Sequence, residues 1–387
     1  TYPADSIPCP CGSQADYQFQ REGVLKTVVG RITYTRAYYV CATCHTGQYP
    51  LDDKLGLRPG EISAELESLA AMTGAQLPFG QGRDLFEALS LIAISDQSMA
   101  KATRAIGEEV AAQEQDWLEQ SQDYQWLQDQ DRLADRPARL YGALDAAKVH
   151  VRGDQDHPWR DLKVGAWFST RAEPPPTPDD DWEIQAIDIT YYCDITPAQE
   201  FGPLVWATGC QRQAQLAQEL IFLGDGADWI WQLVSDSYPQ AIQIVDWFHA
   251  TEYIAPVAHA AFTDEIKAQA WNQTVRDNLW QGNLDAVIDA FSRLTAHQQA
   301  GEAARKAVTY FTNNRQRMRY AEFRAKGYQI GSGTIESACK QIVTQRMKVS
   351  GAIWNNEHAN KTAKPRPALL SVQWKTITAR RKQLSQK

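Results

Sequence analysis

Short apolar runs that end in aspartate alternate with helical periodicity in the middle of the chain. The run at 220–223 ends in a Gly-Asp-Gly turn centred on Asp225, and a second run at 242–245 ends in Asp246. Such runs are typical of buried parallel strands joined by helical crossovers. Ligands of such sheets bind at the carboxyl ends of the strands. The pattern therefore favours a site at Asp225, although this aspartate could instead cap the next helix.

Three more strands are predicted before this pair, at 139–151, 161–170 and 183–192, and the first carries Asp145 near its centre. A proline-containing loop at 174–178 separates the second strand from the third. Three strands followed by helix, strand, helix and strand give the ribonuclease H-like order. We therefore predict an α/β fold with a mixed sheet: the first three strands antiparallel, and the fourth parallel beside the first. This order would bring Asp145 next to Asp225.

Apolar residues spaced three and four apart predict helices before and after this core, which begins in segment 137–250. Segment 51–136 is predicted to be an acidic helical region. Its short helices around Ser95 fit a helix-turn-helix and, equally, an ordinary helical hairpin. Segment 251–328 is predicted to be an all-helical insertion. The final core segment, 329–354, contains a helix with Glu336 in its first turn, where a carboxylate is also favoured simply by the helix dipole.

Four of the seven cysteines lie in the first 44 residues, as two close pairs on either side of a predicted β-hairpin. Two cysteine knuckles on a hairpin describe a zinc ribbon, in which four thiolates form a tetrahedron. Segment 1–50 is therefore predicted to bind one Zn²⁺ ion; the alternative is a ribbon that has lost its metal. The predicted ligands are Cys9, Cys11, Cys41 and Cys44, and His45 is expected to be a bystander.

The formal net charge of −8 hides an asymmetry along the chain. Residues 301–387 carry 18 Lys and Arg against 4 Glu, whereas the first 300 residues carry 21 basic and 43 acidic side chains. A basic C-terminal region, including a tail at 355–387, favours a polyanionic partner, although a solvated tail would have the same composition. We find no apolar run of eighteen residues and no signal-peptide pattern, so we expect a soluble, cytoplasmic protein with no membrane partner.

The sheet and the late helix together supply three carboxylates that we expect to converge: Asp145, Asp225 and Glu336. Carboxylates are hard oxygen ligands that suit Mg²⁺ or Mn²⁺. Two such ions about 3.5–4 Å apart can activate the attacking oxygen and stabilise the leaving oxygen of a phosphoryl displacement. Because crowded acids repel one another, bound cations would give the cluster a reason to exist.

Several segments resemble the bacterial ISKra-type insertion-sequence transposases: Leu144-Asp145-Ala146, 222–231, 244–249 and 330–348. The Asp246-x-x-His249 pair also resembles the C/D-x-x-H motif of Mutator-like DDE transposases. The resemblance extends from the cysteine pairs to about Trp354 and weakens in the proline-broken stretch at 361–367. It implies a DDE transposase in which Asp145, Asp225 and Glu336 hold the ions for cleavage and strand transfer at the ends of an insertion sequence.

The resemblance further implies double-stranded DNA as the partner, a homo-oligomer on that DNA, and a place in the bacterial nucleoid. Asp246 is expected to assist the metal site or to hydrogen-bond His249, and His249 to approach a phosphate or to cap the next helix. Three basic residues of the predicted catalytic helix would contact phosphates if that surface faces DNA: Lys340, Arg346 and Lys348. The rival functions are a nuclease without strand transfer, a catalytically silent transposon-derived DNA-binding protein, and a zinc-ribbon scaffold for protein partners.

Overall fold

The computed structural model describes residues 4–55, 57, 62–133, 136–153, 158–173 and 183–384. It divides the chain into two compact units: unit 1 comprises residues 1–113 and 357–387, and unit 2 comprises residues 114–356. Unit 1 thus combines the predicted ribbon with the C-terminal segment, and unit 2 contains the predicted core and helical segment. The proline-containing loop at 174–178 lies outside the described residues.

Unit 1 begins with a four-stranded antiparallel sheet that contains the predicted hairpin. Its strands follow one another in chain order: β1 (Ser6–Pro8), β2 (Gln14–Thr27), β3 (Gly30–Cys41) and β4 (Gly47–Gln48). The two long strands pair from Ala15 with Cys41 to Thr27 with Gly30, and only two residues make the turn. Gly30 has a φ of +105°, a conformation that glycine adopts without steric cost. The apolar core of this sheet is small and includes two of the cysteines, Cys9 and Cys41.

The helices that follow are α1 (Pro50–Leu55), α2 (Ala64–Gln76), α3 (Phe79–Ser90) and α4 (Asp96–Gln120). Ser95 precedes α4, and its Oγ accepts the backbone N–H of Ser98 at 3.1 Å, which caps the start of this helix. Phe86, Met99 and Ile106 enter the core, whereas Leu89 is exposed. The helical character predicted for this region is therefore observed, but the apolar stripe of α3 is only partly buried.

Unit 2 is built on a mixed sheet. Its elements are α5 (Tyr124–Leu133), β5 (Arg139–Arg152), β6 (Trp159–Glu173), β7 (Glu183–Asp194), α6 (Ala198–Cys210), β8 (Glu219–Gly224), α7 (Asp228–Ser237) and β9 (Ile242–Val245). The strand order is β7-β6-β5-β8-β9. The first three strands pair antiparallel, and β5, β8 and β9 pair parallel. The predicted strand order and directions are confirmed.

Helices occupy the chain from Trp247 to Ala325, as the apolar spacing predicts: α8 (Trp247–Glu252), α9 (Ile254–Ala261), α10 (Glu265–Trp280), α11 (Leu284–Ser292), α12 (Gly301–Asn313) and α13 (Tyr320–Ala325). The helix that carries Glu336 is interrupted. Its α14 (Gly333–Cys339) passes into a π-helical turn at Lys340–Thr344 and then into α15 (Gln345–Met347). A short strand, β10 (Trp354–Asn355), pairs parallel with the end of β5.

The chain ends with three helices that belong to unit 1: α16 (Asn356–Ala363), α17 (Pro365–Leu370) and α18 (Trp374–Leu384). Helix α16 stops just before Pro365, because proline cannot donate the next backbone hydrogen bond but fits the first turn of a new helix. Ala368, Trp374 and Ile377 share one core with the helices α2 to α4.

Several basic side chains of this C-terminal segment are engaged within unit 1. Arg366 is buried and donates to the carbonyl of Ala75 at 3.1 Å, at the end of α2. Three ion pairs join the last helices to α2 and α4: Lys361–Glu108, Arg380–Glu109 and Arg381–Glu67. The segment predicted as a basic tail is therefore folded, and part of its charge is neutralised internally. Among the helices of the described ranges, none has the length and apolar character needed to cross a membrane.

Candidate metal-binding sites

Four cysteines meet at one end of the unit 1 hairpin. The Sγ atom of Cys9 lies 3.6 Å from that of Cys44, and the Sγ atom of Cys11 lies 3.6 Å from that of Cys41. All four sulfur atoms lie within 4.8 Å of one another. A tetrahedron with Zn–S bonds of about 2.3 Å has sulfur–sulfur edges of about 3.8 Å. The spacing therefore suits a zinc ion, and the predicted cluster of four cysteines is observed.

The knuckles around the cysteines are shaped by short backbone hydrogen bonds. Gly12 donates to the carbonyl of Cys9 at 2.9 Å, and His45 donates to that of Cys41 at 2.8 Å. Gly12 and His45 both have positive φ, as such tight turns require. Hydrogen bonding with the hydroxyl and the backbone N–H of Thr46 lowers the pKa of Cys44 to about 6. This favours the thiolate, which is the form that binds metal.

In unit 2, three aspartates lie at matching positions on neighbouring parallel strands. The ladder between β5 and β8 ends with Ala143 opposite Leu223, two residues before Asp145 and Asp225. The ladder between β8 and β9 ends with Gly224 opposite Val245, one residue before Asp225 and Asp246. Asp225 and Asp246 thus directly follow the ends of β8 and β9, and Asp145, in the middle of β5, lies level with those ends, so strand register brings the three aspartates into one row.

Asp225 is held by contacts on both sides of its backbone. Its Oδ1 accepts the N–H of Ala227 at 2.8 Å, and its carbonyl accepts the hydroxyl of Tyr310 at 2.9 Å. The following Gly226 has a φ of +94°, and a Cβ there would lie 2.7 Å from the Tyr310 ring. Glycine at this position therefore serves both the turn and the close approach of the tyrosine.

Asp246 is fully buried and anchors two segments at once. Its Oδ1 accepts the N–H of His249 at 2.7 Å, which caps α8. Its Oδ2 accepts the N–H of Ser332, just before α14. The hydroxyl of Ser332 in turn donates to Oε1 of Glu336 at 2.8 Å. Asp246 therefore bonds His249 through the backbone, and it links the end of β9 to the turn that positions Glu336.

These bonds bring a mixed ligand set together. Carboxylate oxygens of Asp246 and Glu336 and a ring nitrogen of His249 lie within 4.8 Å of one another, so this group could hold a metal ion. His249 also contacts Glu252, with 3.3 Å between Nδ1 and Oε2. Helix α14 packs against β5 and β6, so Glu336 lies on an element that contacts the strand of Asp145.

The electrostatics of this group are those of crowded, partly buried charges. Burial raises the pKa of Asp246, although the N–H groups of His249 and Ser332 oppose the shift. Burial also raises the pKa of Asp145, and the charge of Asp225 adds to this effect. Burial lowers the pKa of His249, but Asp246, Glu252 and Asp225 outweigh it and raise that pKa above its usual range. A cation would relieve the cost of keeping the aspartates ionised.

Neither comparison with known proteins gave a match. No family model matches the chain, and no curated protein does so. The function is therefore inferred from the geometry of the two ligand clusters.

The three predicted DNA-contacting residues differ in exposure. Lys340 and Lys348 are exposed, but Arg346 is only 1% exposed, and its guanidinium lies over the Trp354 ring, 5.1 Å from the centroid. The prediction for Arg346 as a phosphate contact is therefore wrong in this fold. Arg346 lies four residues after Ile342 and seven after Cys339, which are both buried, so helical spacing alone places it on the buried side of this helix.

Three residues next to the aspartates were not predicted: Tyr310, Ser332 as a partner of Asp246, and Cys339. Cys339 is buried, and its thiol lies close enough to the carboxylate of Asp145 for the two to interact. Burial, and then the charge of Asp145, raise the pKa of this thiol well above its usual range. For Ser332 and Cys339 the only available signal was their closeness to Glu336 in the chain. Tyr310 lies 85 residues from Asp225 and carried no signal.

Proposed function

We propose that the chain is a DNA transposase of the ISKra-type kind, with a ribonuclease H-like core. It would catalyse two-metal-ion cleavage and strand transfer at the ends of an insertion sequence. The observation that carries this proposal is the strand register that sets Asp145 and Asp225 at matching positions on adjacent parallel strands. Glu336, on a helix that packs against the same sheet, completes the proposed ligand set.

Hard divalent cations suit this edge of the sheet, where the donor atoms within 4.8 Å of one another are those of Asp246, His249 and Glu336, and Asp145 and Asp225 lie outside that group. Asp145, Asp225 and Glu336 would hold Mg²⁺ or Mn²⁺, because carboxylate oxygens are the ligands that such ions prefer. When bound, the ions supply charge stabilisation for the attacking and leaving oxygens of a phosphate. In unit 1, the four thiols fit Zn²⁺ in a structural role.

The other side chains would position these groups. Asp246 fixes the turn before α14 and thereby orients Glu336 through Ser332. Tyr310 holds the backbone of Asp225. His249, whose pKa is raised, carries a proton at neutral pH more readily than an ordinary histidine and would attract a substrate phosphate. Double-stranded DNA is the proposed substrate, and a homo-oligomer on DNA is the proposed acting form.

The test is a cleavage and joining reaction. Purified chain is incubated with Mg²⁺ and duplex DNA that carries the sequences flanking its own gene, and the positions of breaks and joints are mapped. Metal-dependent breaks and joints at fixed positions are expected, and Asp225→Asn should abolish both. Breaks without joints would indicate a nuclease, and binding without breaks would indicate a silent DNA-binding protein.

A further inference from the structure

A cleft of about 580 Å³ opens in unit 2 beside Asp225. One wall is the turn from Gly226 to Asp228 at the start of α7. Tyr253 and side chains between Glu302 and Asn314, most of them on α12, form the rest of the lining. Pockets of about 300–1,000 Å³ are typical of sites for small ligands. The cleft therefore has the size of a site for one nucleotide.

Aromatic rings form one part of this cleft. Tyr253 and Tyr310 stack on each other, with 4.0 Å between ring centroids and 14° between ring planes. Both rings line the cleft and are partly exposed. Tyr310 is fixed by its hydrogen bond to the carbonyl of Asp225, so the stack has a defined place beside that carboxylate. Rigid aromatic faces of this kind bind nucleic-acid bases of any sequence.

Phosphate-binding groups form the other part. Arg305 and Lys306 are exposed on α12 and line the cleft. Nη1 of Arg305 donates to the carbonyl of Thr295 at 2.6 Å, which holds a guanidinium that has five N–H donors in all. Across the cleft, α7 begins at Asp228, and the first N–H groups of a helix favour an anion.

Two acids also line the cleft, and each has a cation near it. Glu302 forms an ion pair with Lys306 at 2.7 Å. Asp228 lies close enough to Arg317 for its charge to act on that guanidinium. The acids are therefore compensated, and Arg305 is the side chain best placed to meet an incoming phosphate.

We infer that this cleft binds one nucleotide of an unpaired DNA strand, with its base against Tyr253 and its phosphate towards Arg305. The inference rests on the proposed function and adds the form of the substrate: one nucleotide leaves the duplex next to the phosphate that is processed at Asp225. Extruding a nucleotide costs unstacking energy, which the aromatic stack and the phosphate contacts would offset.

Binding of single strands tests this inference without any chemical step. The probe is a short fluorescent poly-thymidine oligonucleotide, measured in magnesium-free buffer beside a duplex of the same strand. Tyr253→Ala and Arg305→Ala should each weaken single-strand binding about tenfold, since base stacking on one aromatic ring has effects of this order. Tyr253→Phe keeps the ring and should restore affinity. Lys267→Ala, an exposed lysine of α10 outside the cleft lining, is the matched control and should bind like the wild type.

A photocross-link locates the strand. Thymidines are replaced one at a time by 5-iodouracil, and the cross-linked residue is expected to be Tyr253. Unchanged affinity in both cleft variants, or a cross-link outside the cleft, would overturn the inference. The two proposals fail separately: wild-type protein that cuts and joins DNA while Tyr253→Ala binds single strands normally refutes only the cleft. Single-strand binding that depends on Tyr253, in a protein that never breaks DNA, refutes only the transposase.

Discussion

The two clusters of potential metal ligands differ in what holds them together. The four cysteines lie on a hairpin whose core contains little more than Ala15, Tyr39 and two of the cysteines themselves. The group of Asp246, His249 and Glu336 instead lies just beyond β9 and on helices α8 and α14, beside a sheet whose side chains include the fully buried Leu144, Phe222 and Ile244. A metal at the first cluster would form part of the fold. At the second cluster, the apolar core can support the fold without the metal. The crowded carboxylates lower the stability of that fold, and a bound cation would remove this repulsion.

The largest expected effect is therefore loss of zinc from unit 1. Structural zinc contributes roughly 10–16 kcal/mol of apparent folding free energy in small domains. Cys11→Ala should lose the ion and the hydrogen-exchange protection of β2 and β3. Metal analysis and exchange mass spectrometry provide the measurement. Cys210→Ala, at a buried cysteine of unit 2, is the control and should keep its zinc. If β2 and β3 keep their hydrogen-exchange protection without zinc, the metal at the first cluster is not part of the fold.

Beside the second cluster, removing Asp225, which the proposed function makes a Mg²⁺ ligand, should destroy activity and spare the fold. Asp225→Asn keeps the size of the side chain but removes its charge. Metal-dependent DNA cleavage should fall about a thousandfold or more, because charge stabilisation of this kind amounts to several kcal/mol. The melting temperature should not fall. Asp236→Asn, at an exposed acid of α7, should cleave normally. If Asp225→Asn cleaves DNA at the wild-type rate, Asp225 is not a metal ligand and only caps the following helix.

Substitution of Asp246 tests whether its two backbone hydrogen bonds hold the second cluster in place. Asp246→Ala leaves the N–H groups of His249 and Ser332 without their acceptor, which should cost about 2–4 kcal/mol in the free energy of unfolding. Urea denaturation followed by tryptophan fluorescence gives the value. Asp264→Ala, which removes an exposed cap of α10, should cost only about 1 kcal/mol. Equal costs for the two variants would mean that Asp246 does not anchor the site.

Acidification should affect the two clusters in opposite directions. Folding raises the pKa of Asp145 and Asp246 above the usual 3.8. Both groups therefore lower the stability of the folded protein, and this loss grows as pH rises from 3.8 to their pKa values in the folded state. The raised pKa of His249 gives stability that is complete below 6.5 and is lost as pH rises through its folded value. Unit 2 should therefore be more stable near pH 5 than near pH 7.5, and Mg²⁺ should narrow the difference.

The zinc cluster should respond in the reverse sense, because its thiolates must stay deprotonated to hold the ion. Zinc release on acidification, with hydrogen exchange resolved for each unit, is the measurement. If unit 2 is most stable at neutral pH in metal-free buffer, its carboxylates do not experience the crowding that the structure shows.

The smallest effects concern DNA contacts. Lys340→Ala and Lys348→Ala should each reduce the slope of log affinity against log salt by about 0.9 if these exposed lysines meet phosphates. Arg346→Ala should leave the slope unchanged and lower stability instead, because its guanidinium is buried over Trp354. Salt titrations of duplex binding distinguish the two classes. A changed slope for Arg346→Ala would place that side chain on the surface.

Much of unit 2 follows from the sequence for a physical reason. Buried parallel strands need near-continuous apolar runs, so the runs at 220–223 and 242–245 coincide with β8 and β9 to within a residue. The cysteine pairs were equally clear, since knuckle spacing is local. The strand order was predicted from the succession of elements, because three strands followed by helix, strand, helix and strand suit the ribonuclease H-like order.

Other features depend on contacts that no local pattern encodes. The carboxylate of Asp246 meets Ser332 across 86 residues, and the hydroxyl of Tyr310 meets Asp225 across 85. The sequence of Lys340–Thr344 predicts ordinary α-helix, and the π-helical turn found there carries no local signal. The C-terminal helices look like a solvated basic tail because their acidic partners, Glu67, Glu108 and Glu109, lie far earlier in the chain.

That union of the two chain ends in unit 1 bears on how the protein emerges from a ribosome. Domains generally fold as units during synthesis, in the order in which they are made. Unit 2 is complete once Asn356 has left the exit tunnel, but the helical core of unit 1 must wait for Trp374 and Ile377. While unit 2 is being synthesised, Leu66 and Met99 therefore lack the apolar partners that the C-terminal helices provide. An mRNA truncated after the codon for residue 356 would encode the complete sheet of unit 2. The helical core of unit 1 would then lack Ala368, Trp374 and Ile377.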